Sequence, residues 1–162
     1  MANVNNPEFD EARSGAGFES MRARLGTQAG SAKLGLSLWE VPPGIAAYPY
    51  HWHAVEEEMV VVLAGRPMLR TPESTRRLEP GDVVAFLVGE RGGHQLWNDS
   101  DDETVRFLSF SSWTNGPEIC FYPDSGKVGV FADDVYELYK QDSAVDYWLD
   151  EEPPTGAGSS SA

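Results

Sequence analysis

Residues 50–65 read YHWHAVEEEMVVVLAG, and the reading of this stretch decides the fold. His51 and His53 are two residues apart, so in an extended strand both imidazoles point the same way. EEMVVVLAG (57–65) is a strand of its own, and its unbroken apolar run predicts cover on both faces. Gly65 closes it. Glu58 follows His53 by five residues, an odd offset that faces the opposite side of a straight strand. A bend within Ala54–Glu57 is therefore needed for Glu58 to join the two histidines.

Working outward, the same period recurs. KLGLSLWEV (33–41) alternates, with Leu34, Leu36 and Leu38 on one face, and Pro42-Pro43-Gly44 ends it. IAAYPYHWH (45–53) is a second extended segment, and RPMLRTP (66–72) opens another beyond Gly65. Glu79-Pro80-Gly81-Asp82 is a turn signal, and VVAFLV (83–88) after it is rich in strand formers. GERGG (89–93) is a loop before the short strand HQLWN (94–98), and Asp99–Glu103 is an acidic turn. TVRFLSFSSW (104–113), ICFYP (119–123) and KVGVF (127–131) complete the set, the last two joined by a turn at Asp124-Ser125-Gly126. Short strands at this spacing predict an all-β sandwich or barrel and exclude a βαβ fold.

The flanks differ. Residues 1–26 read as a polar N-terminal arm with at most a short helix, and the barrel occupies 27–131. Residues 132–152 form a C-terminal segment. A helix is expected over Asp133–Lys140, with Val135, Leu138 and Tyr139 as its apolar side. Val145, Tyr147, Trp148 and Leu149 are expected to dock on the barrel or on a partner chain, with the neighbouring acids solvated. The low-complexity stretch PPTGAGSSSA (153–162) reads as a flexible tail. No internal repeat is visible.

At 162 residues the chain is long enough for one domain with a real core. Its formal net charge of −14 repels phosphate backbones and anionic lipid, so neither nucleic acid nor a membrane surface is an expected partner. The longest apolar run, Met59–Ala64, is far too short to span a bilayer. Its first residues, MANVNNPEFDEAR, lack a secretory pattern, and the one cysteine, Cys120, cannot form an internal disulfide. Both point to the cytoplasm.

The chain has three histidines, His51, His53 and His94. Imidazole nitrogens with a carboxylate from Glu56, Glu57 or Glu58 form a ligand set for a divalent transition metal. Because each histidine is claimed by this set, none is left to activate a serine nucleophile. If His51 and His53 face inward, Tyr50 and Trp52 face outward, and with Tyr48 they are expected to pack or to form a dimer face. Leu96 and Asn98 share the parity of His94, although Asn98 equally suits a turn cap. Phe107 and Ser109 share one face of their strand and Leu108 and Phe110 the other, and at least one set should line the interior. Cys120 reads as an ordinary buried thiol.

Gly44, His51, His53, Glu58 and Gly65 resemble the first cupin motif, and Gly81, Gly89, His94 and Asn98 resemble the second. PGDVVAF (80–86) is typical of the same superfamily, and the likeness to small single-domain bacterial cupins continues through YPDSGKVGV (122–130). The spacer from Gly44 to His51 is one residue longer than usual, that from Gly89 to His94 two residues longer, and Leu87 replaces a usual Pro. The resemblance implies a jelly-roll barrel, or double-stranded β-helix, enclosing one divalent ion held by His51, His53, Glu58 and His94. Counting back from Gly65 favours Glu58 over Glu57 as the carboxylate. Iron, manganese, zinc and nickel all suit such ligands. Cupins also commonly dimerise, which implies a homodimer. Open positions on such an ion would let a small polar substrate bind it, so the expected function is a metal-dependent enzyme on a small organic molecule, of dioxygenase or isomerase type. The alternatives are a non-catalytic sensor that binds a sugar or metabolite in the same pocket, and a structural barrel with nothing in it.

Overall fold

The computed structural model describes residues 1–112, 116–132 and 135–154. Among them are fourteen strands: β1 (Glu11–Gly15), β2 (Phe18–Ala23), β3 (Gly35–Val41), β4 (Ile45–Ala46), β5 (Trp52–His53), β6 (Glu58–Ala64), β7 (Met68–Arg70), β8 (Thr75–Arg77), β9 (Val83–Phe86), β10 (Gln95–Asn98), β11 (Val105–Ser111), β12 (Glu118–Tyr122), β13 (Lys127–Ala132) and β14 (Val135–Lys140). One helix, α1, spans Leu25–Gln28. The larger sheet runs β8-β7-β10-β4-β2-β3-β11-β6-β9, with β1 paired to β2. The smaller runs β14-β13-β12-β5. The architecture is the all-β double-stranded β-helix expected.

The alternation seen in the sequence places the core. On β6, Val60 and Val62 point inward; on β3, Trp39 and Val41; on β11, Val105 and Phe107. Leu69, Leu78, Phe86 and Leu96 close this inner cluster. Each fully buried side chain of this size stabilises the fold by about 1.5–3 kcal/mol before entropy is counted. The opposite faces of β3, β6 and β11 carry Leu36, Leu38, Leu63 and Leu108, which pack with Ala23, Leu25, Val4 and Phe9. Both faces of the central strands are thus covered.

That outer cover corrects the reading of residues 1–26 as an arm. They supply a hairpin, β1–β2, and β2 lies inside the larger sheet between β3 and β4. The apolar positions scattered among polar ones were the outer half of a core.

The expected helix over Asp133–Lys140 is also corrected. Residues 133 and 134 lie outside the described residues, and Val135–Lys140 is a strand paired antiparallel to β13, Val128 opposite Tyr139 and Val130 opposite Glu137. Val135, Tyr136 and Tyr139 favour strand by shape, and the open edge of β13 supplies the backbone partners that settle the matter. Val145, Tyr147, Trp148 and Leu149 do not dock on the barrel; all four are exposed. Most of the expected tail, residues 155–162, and Trp113 at the end of TVRFLSFSSW lie outside the described residues. No helix among the described residues is long and apolar enough to cross a membrane.

Candidate metal centre

His53 lies at the end of β5, and Glu58 begins β6. Between them the chain bends, as the odd offset required. The backbone N–H groups of Ala54, Val55 and Glu56 all donate to the carboxylate of Glu118, at 2.9, 3.4 and 2.8 Å. His51 and His94 face each other across an isolated bridge, each N–H donating to the other's carbonyl at 3.2 and 2.9 Å. The longer loop before His94 folds as a tight turn, Glu90–Gly92. A side chain at position 92 would put Cβ 1.7 Å from the carbonyl oxygen of Leu87, so only glycine fits. Gly89 donates to the carbonyl of His53 at 2.8 Å and ties this loop to the other ligand strand.

The ring orientations follow from simple acceptor logic. A backbone carbonyl can only accept, so Nδ1 of His51 donates to Pro49 and Nδ1 of His94 to Gly92, each at 2.9 Å. In both rings Nε2 is the nitrogen left to face the other ligands. Nε2 of His53 and of His94 each lie 3.2 Å from the same oxygen, Oε2 of Glu58. Donor atoms of His51, His53 and Glu58 all lie within 4.8 Å of one another. His94 joins this group through the Glu58 oxygen. Glu57 is exposed and its N–H donates to Ser112, so Glu58 is the carboxylate that stands with the histidines.

Nε2 of His53 is buried with no hydrogen bond of good geometry, an orphan that a cation would satisfy. Three imidazoles and one carboxylate fit a divalent transition ion by their chemistry.

Electrostatics divides the two inner rings. Burial, together with the charges on His94 and His53, pushes the pKa of His51 down to about 3, so it is neutral. Burial also disfavours charge on His53, but Cys120, Glu118 and Glu58 outweigh it and hold the ring protonated in the metal-free pocket. Glu58 is likewise penalised by burial, yet its contacts with His53 and His94 keep it well below the ordinary carboxylate range. A cation needs a bare Nε2, so its uptake displaces the proton that His53 holds. Proton and metal compete, so affinity tightens as pH rises and weakens as pH falls, by about tenfold per unit for one proton. Calorimetric titration of zinc in buffers of different ionisation enthalpy, at several pH values about neutrality, is expected to show that proton; a pH-independent affinity would contradict it.

Glu118 was not visible as a site residue in the sequence. It heads β12, sixty-four residues from the Ala54 N–H it accepts, and no local pattern marks it. Buried, it stays ionised because His53 and the backbone amides of Val55 and Glu56 offset the cost of burial. Its Oε1 is 3.5 Å from Nδ1 of His53. It therefore orients the imidazole and pins the bend at once. Glu118→Gln removes the charge and turns an amide NH₂ toward backbone donors, and is expected to weaken metal binding about 10–100-fold in competition with a chelator. Unchanged affinity would show that the bend holds without it.

Cys120 is more than packing. Its Sγ is 3.3 Å from Nδ1 of His53, and it lines the same pocket. Burial raises the thiol pKa, so it remains protonated. Tyr50 and Trp52 pack as expected, Tyr50 under Arg70 and Trp52 on Phe121 with centroids 4.0 Å apart. Tyr48 departs from that group: the chain turns at Pro49, and the Tyr48 ring lies edge-on to His51 at 5.1 Å and to His94 at 5.7 Å. Asn98 takes the turn role, donating to Val41 and Glu103 and accepting from Ser100.

The centre opens into a cavity of about 270 Å³. Besides His51, His53 and Glu58 it is lined by Arg13, Arg22, Trp39, Tyr48, Glu56, Ser109, Tyr122 and Tyr136, among others. Burial, with Glu118 and Glu58 nearby, raises the Glu56 carboxyl, and burial pushes Tyr122 up to about 12.

Residues 37–111 match the family model for the cupin domain, a span from β3 to the end of β11 that includes all four candidate ligands. No curated protein sequence matches the chain. Among solved structures, a sugar phosphate isomerase of a cupin superfamily from Silicibacter pomeroyi is 23% identical, over 89% of this chain and 94% of that one, with a TM-score of 0.78. A candidate sugar phosphate isomerase from Acidithiobacillus ferrooxidans is 26% identical over 79% and 80%, with a TM-score of 0.71. A polyketide cyclase from Streptomyces resistomycificus is 24% identical over 68% and 77%, with a TM-score of 0.55. The cupin-domain match thus covers residues 37–111, just under half of the chain, and these solved structures share its fold.

Proposed function

We propose that this chain is a metal-dependent cupin enzyme that isomerises a small hydroxy-carbonyl compound. The observation that carries the reading is the convergence of His51, His53 and Glu58 on the wall of one cavity, with buried His94 meeting them through the Glu58 oxygen. The likeness to the Acidithiobacillus protein, 26% identical, supports the reaction class. When bound, the ion supplies Lewis acidity toward an oxygen of the substrate. The chain's own residues do the rest. His51 and His94, locked by Pro49 and Gly92, hold fixed orientations and exclude rearrangement. Glu56 lines the cavity with a raised pKa, which suits it to take a proton from the carbon beside a carbonyl and return it to the neighbouring carbon. Tyr122 keeps its proton and can donate a hydrogen bond.

The test loads the protein in turn with iron, manganese, nickel and zinc and screens small aldoses, ketoses and their phosphates in deuterated water. Isomer formation or deuterium uptake beside the carbonyl is expected. Glu56→Gln should retain the metal and lose roughly 10²–10⁴ of that rate. Saturable binding without exchange under every metal would overturn the enzyme in favour of a sensor.

The homodimer belongs to the same proposal. Val135, Leu138 and Tyr139 on the edge strand β14, with Tyr147 and Trp148, form an exposed apolar run of the kind that a second chain covers. Light scattering in solution should give twice the mass of 17.8 kDa, and a monomer mass would remove the proposal.

A further inference from the structure

The hairpin β1–β2 brings arginines to the cavity. Arg13, Arg22 and Arg24 all approach a single carboxylate, Glu11. One carboxylate neutralises one of three cations. Arg24 and Arg13 make the short contacts with it, and Arg22 is 3.6 Å away, too long for a hydrogen bond. Arg13 and Arg22 both line the cavity that holds the histidines.

Arg22 is held as a fixed fork. Its Nε donates to Ser37 at 2.9 Å, and its guanidinium lies 4.9 Å from the ring centre of Trp39. Trp39 is itself pinned, its indole N–H donating to Ser109 at 2.9 Å. The terminal nitrogens of Arg22 make no protein hydrogen bond among the described residues, although the side chain is only 28% exposed. Arg13 sits over the same indole at 5.6 Å. Rings packed edge to face lead from there to the ligands, Trp39 to Tyr48 at 5.6 Å and Tyr48 to His51 at 5.1 Å. A rigid, partly desolvated guanidinium with free donors matches an oxyanion.

The charge arithmetic agrees. Glu56, Glu58 and Glu118 place three carboxylates on the cavity wall, and Arg13, Arg22 and the protonated His53 face them with three positive charges. A divalent ion that displaces the His53 proton leaves the wall net positive by one. The chain as a whole, at −14, repels anions, so this is a local feature.

We infer that Arg22, with Arg13 beside it, holds the anionic group of the substrate, so that the compound entering this pocket carries a phosphoryl or carboxylate group at the end away from the histidines. This rests on the reading of the pocket as a substrate site and names the substrate class for it.

The test titrates inorganic phosphate, and in a parallel arm malonate, into the full chain after removal of metal by chelation, with phosphate followed by ³¹P line width and both by calorimetry. Metal-free protein is used because the ion would bind either anion by itself. Saturable binding is expected, and the tighter of the two probes names the group. Arg22→Met should weaken it tenfold or more, and Arg22→Lys should restore only part, because the fork is lost. Arg13→Met, a change outside both apolar clusters, should weaken it several-fold and keeps the test open if Arg22→Met does not fold. Metal content by elemental analysis should be unchanged in all three variants. Equal phosphate and malonate affinity in wild type and both methionine variants, or no saturable binding of either, would overturn the inference and leave the metal centre standing. Arginine-dependent anion binding by a protein that takes up no metal would do the reverse.

Discussion

Glu58→Gln should lower the affinity of the pocket for a divalent ion by roughly 10²–10⁴-fold. One oxygen of Glu58 lies 3.2 Å from the Nε2 atoms of both His53 and His94, so this carboxylate is where two of the three imidazoles meet. The substitution keeps the shape and removes the charge. Uncoupling one partner of a buried charged set costs about 3–5 kcal/mol, which is the stated range in binding. Two readouts check it. Elemental analysis after purification should fall from near one ion per chain to a small fraction. Thermal unfolding should lose the stabilisation that a bound ion confers, about 4 kcal/mol at a thousandfold excess over Kd. The glutamine variant should then lose most of the difference in melting temperature with and without chelator. Full metal content in the variant would remove Glu58 from the ligand set.

Phe107→Ala should destabilise the barrel by about 3–5 kcal/mol, the usual cost of emptying an aromatic site in a tight core. Phe107 is 0% exposed at the centre of β11, between β3 and β6. Its ring stacks on Trp39 at 6.0 Å and meets Tyr48 edge-on at 6.4 Å. Those two rings border the cavity, so their anchoring and the shape of the pocket depend on the same side chain. Against a total stability of about 5–15 kcal/mol, the loss is a large fraction. Phe110, on the opposite face of the same strand and 38% exposed, is the control, and its replacement by Ala should cost within about 0.5 kcal/mol. Denaturant melts of both variants check the contrast. Equal losses would mean that β11 does not divide its faces as described.

Much of the fold is legible because its signals are local. Alternating apolar residues mark β3, β6 and β11, and chain reversals announce themselves through residues suited to them: Asp82 accepts the Glu79 N–H at 2.9 Å, and Gly126 takes a left-handed φ of 58°. His51 and His53 share a face because a strand repeats every two residues. The bend that returns Glu58 to them follows from the same parity argument. Where pattern is degenerate, the reading goes astray. Val135, Leu138 and Tyr139 satisfy a helical spacing, yet Val135–Lys140 is β14, because β13 offers an unpaired backbone edge. The scattered apolar residues before Leu25 likewise gain meaning only from the outer faces of β3, β6 and β11.

The pocket divides along the same line. Three histidines and a glutamate are readable as ligands, since their types and spacing already limit what they can bind. Glu118 and Cys120 are not readable, because they reach His53 and the bend beside it from β12, sixty-four and sixty-seven residues along the chain. Arg22 belongs with them: its role depends on Trp39, Ser37 and an overcommitted Glu11. Backbone periodicity is a property of a residue and its near neighbours, so it can be read from order alone. The surroundings of a charge are set by strands that meet only when the sheets close, and they decide which groups orient, neutralise or remain free to bind.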